Sequence, residues 1–174
     1  MKKTILGWLL IQLTIAPVAF SMNNDDLPLT KKIQTGEFTS IIINADVVVQ
    51  LFNSANKEIQ LEGDNLFLSS VMVIQNGNAL IINSKRDKNF KNRGVILIPA
   101  AMVNFIQINN AANIKSSETL EIPALDISVN GPCSITIANK GKLRMFGNER
   151  YDVQYELKEA GRPGVTRKRY KLPG

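Results

Sequence analysis

Ile106-Gln107-Ile108-Asn109-Asn110-Ala111-Ala112-Asn113-Ile114 and its later counterpart Ile127-Ser128-Val129-Asn130-Gly131-Pro132-Cys133-Ser134-Ile135 decide the fold. Each pairs a short strand, apolar at alternate positions and ending in Asn, with a tight polar corner and a second strand. Asn109 and Asn130 stand 21 residues apart, and Cys133 takes the place of Ala112. The motif also occurs at Ile41-Ile42-Ile43-Asn44 and Leu80-Ile81-Ile82-Asn83, these two Asn being 39 residues apart. One such unit cannot bury its own apolar face, so it must stack on its neighbours. The expected fold is all-β, a β-solenoid of stacked short strands, with Asn at equivalent corners forming a hydrogen-bonded ladder. The uneven spacing leaves a β-sandwich as the alternative.

The surrounding chain agrees. From Phe38 to Phe146, short β-branched runs such as Val47 to Leu51, Ile59 to Leu61, Val71 to Ile74 and Val95 to Ile98 are bounded by Asn, Gly, Asp and Ser. No stretch of this span keeps a helical apolar period with caps. Asn76-Gly77-Asn78 is suited to a tight hairpin, with positive φ at Asn and Gly. Apolar residues make up 44% of the chain and aromatics 6%, so the core is expected to be aliphatic.

The 174 residues include one Cys and no His. Histidine-based triads, histidine general bases and the usual zinc sites are therefore excluded, as is an internal disulfide. Cys133 reads as a small buried apolar residue, against the alternative of a disulfide between chains. Lys2 and Lys3 followed by the apolar run to Phe20 read as a secretory signal peptide over residues 1–21, the alternative being a retained anchor. The expected organisation is signal peptide, linker 22–36, β domain 37–147, and a terminal strand with a basic tail over 148–174.

The net charge of +6 is unevenly placed. Ten cations and four carboxylates fall in residues 140–174, so this tail holds the whole excess. Tyr151, Val153, Tyr155 and Leu157 alternate as a strand, and the run containing Arg167, Lys168 and Arg169 reads as a flexible basic end. The other basic segment is the loop holding Lys85, Arg86, Lys88, Lys91 and Arg93, with Phe90 as a stacking face and Asp87 as its one carboxylate. These nine residues are the candidate binding set for anionic polymers, the alternative being solvated loops. Glu58, Glu62 and Asp64 share one strand face by spacing, too few oxygens for calcium and consistent with a solvated edge. No catalytic set, metal site or cofactor is indicated.

Phe38-Thr39-Ser40-Ile41 leads into Ala45-Asp46-Val47-Val48-Val49-Gln50-Leu51, then Ile59-Gln60-Leu61-Glu62-Gly63-Asp64-Asn65-Leu66, Val71-Met72-Val73 and Asn76-Gly77-Asn78-Ala79-Leu80-Ile81-Ile82, and finally the late repeat Leu125 to Ile135. In this order the segments resemble the bacterial head GIN family, auto-transporter adhesin head domains of the DUF2807 type, over about residues 37–147. The resemblance implies an exported β-helix-like stack with no established catalytic residues. With the signal sequence, it places the protein in the periplasm or on the outer surface of a Gram-negative bacterium. The expected role is a non-catalytic, adhesin-like interaction module for glycans or other envelope polymers. Its expected partners are envelope polysaccharide or anionic lipid head groups, with homo-oligomers allowed and nucleic acid not expected. Two other classes stand beside it: a periplasmic polysaccharide-active enzyme, and a structural envelope protein assembling through strand edges.

Overall fold

The computed structural model describes residues 28–85 and 89–147, and the backbone of 153–159 and 166–170. In chain order the elements are β1 (Leu29–Gln34), β2 (Ser40–Ile43), β3 (Val47–Phe52), β4 (Glu58–Gly63), α1 (Asn65–Ser70), β5 (Val71–Asn76), β6 (Ala79–Ser84) and β7 (Gly94–Pro99). They continue with β8 (Phe105–Ile108), β9 (Ala112–Leu120), β10 (Ala124–Val129), β11 (Cys133–Asn139), β12 (Lys142–Gly147), β13 (Val153–Glu159) and β14 (Thr166–Tyr170). The all-β expectation holds.

Two mixed sheets face each other. One runs β12-β10-β8-β2-β6-β5, the other β1-β4-β7-β3-β9-β11-β13-β14. Alternation puts one side of the central strands into the space between them, as in the buried/half-buried pattern of β3. Ile41, Ile43, Leu80, Ile82, Ile106, Ile108 and Ile127 enter from the six-stranded sheet; Val47, Val49, Leu51, Ile96, Ile98, Ile114 and Ile135 enter from the other. The core is aliphatic, with Phe38, Phe67 and Phe90 as its buried aromatic rings.

The repeat is visible as parallel rungs. The pair β2–β3, the pair β8–β9 and the pair β10–β11 each cross from one sheet to the other, and successive pairs stack in parallel. Ile41 registers with Ile106, and Ile106 with Ile127, so like side chains stack in rows through the core. The sequence equivalence of Ala112 and Cys133 is a true register pair, and Val47 occupies the same row. Gly131 sits where two successive corners approach closely: a Cβ there would lie 2.9 Å from the Asn110 carbonyl carbon.

The order of rungs is where a uniform sequential coil fails. After β3 the chain makes β4, α1 and β5, then returns as β6–β7 on the far side of β2–β3, beside β2 and β3 rather than after them. The antiparallel pairs β1–β4, β4–β7 and β5–β6 close that end. Two packed mixed sheets, the sandwich alternative, fit this arrangement. Loop closure over this excursion leaves no trace in a local apolar pattern, which is why periodicity could not order the rungs.

Three further differences from the sequence reading concern local elements. The hairpin β5–β6 forms as expected, but positive φ is confined to Gly77 at +57°; among the described residues no non-glycine adopts it. Leu29–Gln34, inside the segment read as a linker, is strand β1. Thr166–Tyr170, read as a flexible end, lies antiparallel to β13 as β14. The expected signal peptide lies outside the described residues.

Candidate binding face

The four Asn that end the repeated motif meet at one corner of the stack. Asn130 Nδ2 donates to Asn109 Oδ1 at 3.1 Å, Asn109 Nδ2 to Asn44 Oδ1 at 2.8 Å, and Asn44 Nδ2 to Asn83 Oδ1 at 2.8 Å. The backbone follows the same direction, the Asn130, Asn109 and Asn44 N–H groups donating to Ile108, Ile43 and Ile82 carbonyls. The expected ladder exists. Its amides are exposed or half-buried, so the donor and acceptor capacity that the ladder leaves unused meets solvent, except at Asn109 Oδ1, which accepts a second bond.

This ladder is one row of a larger grid on the outer face of the six-stranded sheet. Register places Ala79, Ser40, Phe105, Asp126 and Arg144 in a second row, and Ile74, Ile81, Ile42, Gln107, Ser128 and Phe146 in a third. Gln107 Nε2 donates to Asn109 Oδ1 at 2.8 Å, tying the third row to the ladder. The Phe105 and Phe146 rings are stacked, centroids 6.4 Å apart and planes 30° apart, with Phe146 51% exposed. Arg144 grips Asp126 through two parallel bonds, Nε to Oδ1 at 2.7 Å and one terminal nitrogen to Oδ2 at 2.6 Å. The Arg144 hydrogen bonds hold the Asp126 carboxyl below its ordinary range, and Asp126 raises the guanidinium in turn. In these three rows that pair is the sole pair of charges.

Of the basic residues expected to bind, Lys85, Lys91 and Arg93 lie among the described residues, and two of the three are paired with carboxylates. Lys85 is exposed, and its backbone N–H donates to the Ser70 carbonyl. Lys91 lies 3.2 Å from Asp46 Oδ1, and Arg93 lies 2.6 Å from Asp64 Oδ2. Phe90 corrects the reading of a stacking face: it is fully buried, its ring edge-on to Phe67 with centroids 6.2 Å apart, and its N–H donates to the Asp46 carbonyl. An apolar ring within reach of a core is drawn into it, even from a polar loop. Arg86 and Lys88 lie outside the described residues. Arg167, Lys168 and Arg169 are in β14, opposite Glu156, Tyr155 and Gln154 by backbone register.

The carboxylates near β4 are engaged separately. Glu58 pairs with Lys32 at 2.9 Å, and Asp64 caps α1 by accepting from the Phe67 N–H at 2.7 Å. Their pKa values are lowered, for Glu58 by the Lys32 hydrogen bond and for Asp64 first by Phe67 and then by Arg93. Glu121 is lowered by Lys140. Groups depressed in the folded state stabilise it above their unfolded values and lose that contribution as pH falls through the folded ones. The thermal midpoint is therefore expected to fall as pH drops below the ordinary values of 4.5 and 3.8, followed by calorimetry, and to be flat at neutral pH. Among the described residues no cluster of acidic or thiol groups could hold a metal.

Cys133 is buried, and burial pushes its thiol up to about 11. At pH 8 it is protonated and shielded, and iodoacetamide is expected to leave it unmodified in the native protein and to label it in urea, by mass spectrometry. A shallow depression of about 220 Å³ lies at the β9 irregularity, lined by Ser116, Ser117, Glu118 and Thr136 among others. Glu118 is committed there, accepting from the Asn53 N–H at 2.8 Å.

Phe105, Asp126, Arg144 and Phe146 were not singled out by the sequence. The available signal was the Asn register: fixing Asn109 against Asn130 fixes which residues of β8 and β10 share an outer face. Among solved structures, the chain is similar to a "putative adhesin" from Bacteroides fragilis at 20% identity and a TM-score of 0.59, covering 74% of this chain and 62% of that one. The chain thus spans less than two thirds of that neighbour. A "putative lipid binding protein" and a "putative adhesin", both from Parabacteroides distasonis, align at 13% and 15% identity with TM-scores of 0.48 and 0.45, covering 77% and 76% of this chain and 74% and 71% of theirs. No curated protein sequence matches. The family described as "Putative auto-transporter adhesin, head GIN domain" matches residues 37–148, the span that holds the Asn ladder and both sheets of rungs, and the chain belongs to that family.

Proposed function

We propose that this protein is an exported, non-catalytic interaction module of the adhesin type, which binds an envelope or surface polymer along a rigid strand face. The observation that carries the reading is the ladder Asn130–Asn109–Asn44–Asn83, which repeats one hydrogen-bonding group at every rung along a solvent-facing edge. Neighbouring strands are about 4.8 Å apart, so a linear polymer lying across them meets an equivalent amide at each step. Each site is weak; several engaged together bind through their high effective concentration. The adhesin description of the family supports the same role and an exported or surface location. The basic loop takes a smaller part than the sequence suggested, because Lys91 and Arg93 are already paired with carboxylates.

The test is glycan-array binding by residues 22–174, beside a variant in which Arg167, Lys168 and Arg169 are all alanine. Both proteins are expected to bind the same saccharides. Absence of binding by either, with a monomeric and folded protein, overturns the reading.

A further inference from the structure

We infer that the outer face of the six-stranded sheet is a subsite for an uncharged polysaccharide chain, seated on Phe105 and Phe146 and oriented by Asp126, Arg144, Gln107 and Ser128. The inference rests on the module reading above and names its site and ligand class. Phe105 and Phe146 come from strands separated by β10, yet their rings stack on the solvent side, with Phe146 half in water. Hydrating an aromatic surface is unfavourable, and in a chain with 6% aromatics this pair stands outside the core. A ring face accepts the C–H face of a sugar by apolar burial and by the attraction of its negative quadrupole for polarised C–H groups.

The groups around the rings select the rest of the ligand. Asp126 and Arg144 form a flat, two-bond pair whose outer lone pairs and N–H groups point beyond the pair. Gln107 and Ser128 lie beside it, and Asn109 and Asn130 are one row further along their strands. Each amide and hydroxyl can both donate and accept, which matches vicinal sugar hydroxyls.

Charge and area discriminate among other occupants. An anionic polymer or lipid surface is drawn by clustered cations, about 1 kcal/mol per Lys or Arg near a membrane, and the one cation in these rows is neutralised by Asp126. The fifteen outward positions of the three rows give a patch of roughly 500 Å², below the ~800 Å² per partner of a standard protein interface. A single polymer chain fits that patch; a second copy of the protein does not fill its needs.

The test presents neutral oligosaccharides of glucose, mannose and N-acetylglucosamine, uronate oligosaccharides and anionic phosphatidylglycerol vesicles to the whole chain. Variants are Phe146→Ala, Phe146→Tyr, Arg144→Ala and, on the opposite outer face, Lys115→Ala, each checked for an unchanged unfolding midpoint. At least one neutral series is expected to bind, about tenfold more weakly with Phe146→Ala and with Arg144→Ala, which corresponds to about 1.4 kcal/mol. Lys115→Ala lies elsewhere and should bind as the wild type does, and Phe146→Tyr, which keeps the ring, should recover most of the binding that Phe146→Ala loses. Undiminished neutral-glycan binding by Phe146→Ala and Arg144→Ala overturns this site while leaving the module reading intact. Binding of uronates or vesicles alone overturns the ligand class. Absence of all binding overturns both inferences.

Discussion

Replacing Asn139 with leucine is expected to lower the unfolding free energy by about 2–6 kcal/mol, the cost of leaving two buried polar groups without partners at about 1–3 kcal/mol each. Asn139 is 3% exposed at the end of β11. Its Nδ2 donates to the Ile122 carbonyl at 2.9 Å, and its Oδ1 accepts from the Ile122 N–H at 3.1 Å. The turn between β9 and β10 is thus held by a side chain from the next rung. From the preceding rung Asn53 does the same, donating to the Thr119 carbonyl and accepting from the Glu121 N–H. Leucine fills the volume but satisfies neither Ile122 group, so favourable packing cannot offset the loss. Urea unfolding followed by circular dichroism should show a lower midpoint with an unchanged slope. The exposed neighbour Lys140, paired with Glu121, should tolerate leucine within about 0.5 kcal/mol.

Ile106→Ala is expected to cost about 2–5 kcal/mol, the range for truncating a large buried aliphatic side chain. Ile106 is 0% exposed on β8, which lies between β2 and β10 in the middle of the six-stranded sheet. It registers with Ile41 on one side and Ile127 on the other, both also fully buried. A cavity opened there has rigid strands on both flanks and an opposing sheet above, so little of it can collapse. Gln107→Ala, one residue along and facing solvent, should change stability by less than about 0.5 kcal/mol. The contrast between adjacent positions, read from urea midpoints, tests the inward and outward assignment of β8 on which the binding face depends.

What the sequence made legible was local and repeated. Ile43, Ile82, Ile108 and Val129 could be placed in strands because each lies beside the same Asn, and the offset of 21 residues predicted the ladder and the pairing of Ala112 with Cys133. The order of the rungs was not legible, because nothing in Ala79 to Pro99 says that this pair of strands stacks outside β2–β3. The short helix α1 was missed for a related reason: its six residues are too few for a period, and its signals are Asp64 as cap and Phe67 as anchor. In the candidate site the error was one of partners. Lys91, Arg93 and Phe90 form a basic aromatic loop in sequence, but Asp46, Asp64 and Phe67, distant in the chain, use up two charges and the ring. Phe105 and Phe146 are ordinary strand residues until register brings them together across β10.

Hydrogen–deuterium exchange of the chain, alone and with a saturating amount of the neutral oligosaccharide it binds best, tests the binding face most directly. The expected result is slowed exchange in residues 105–109, 126–130 and 143–146, with the eight-stranded sheet unchanged. Slowing confined to β3, β7 and β9, or to the loop between β6 and β7, would contradict it.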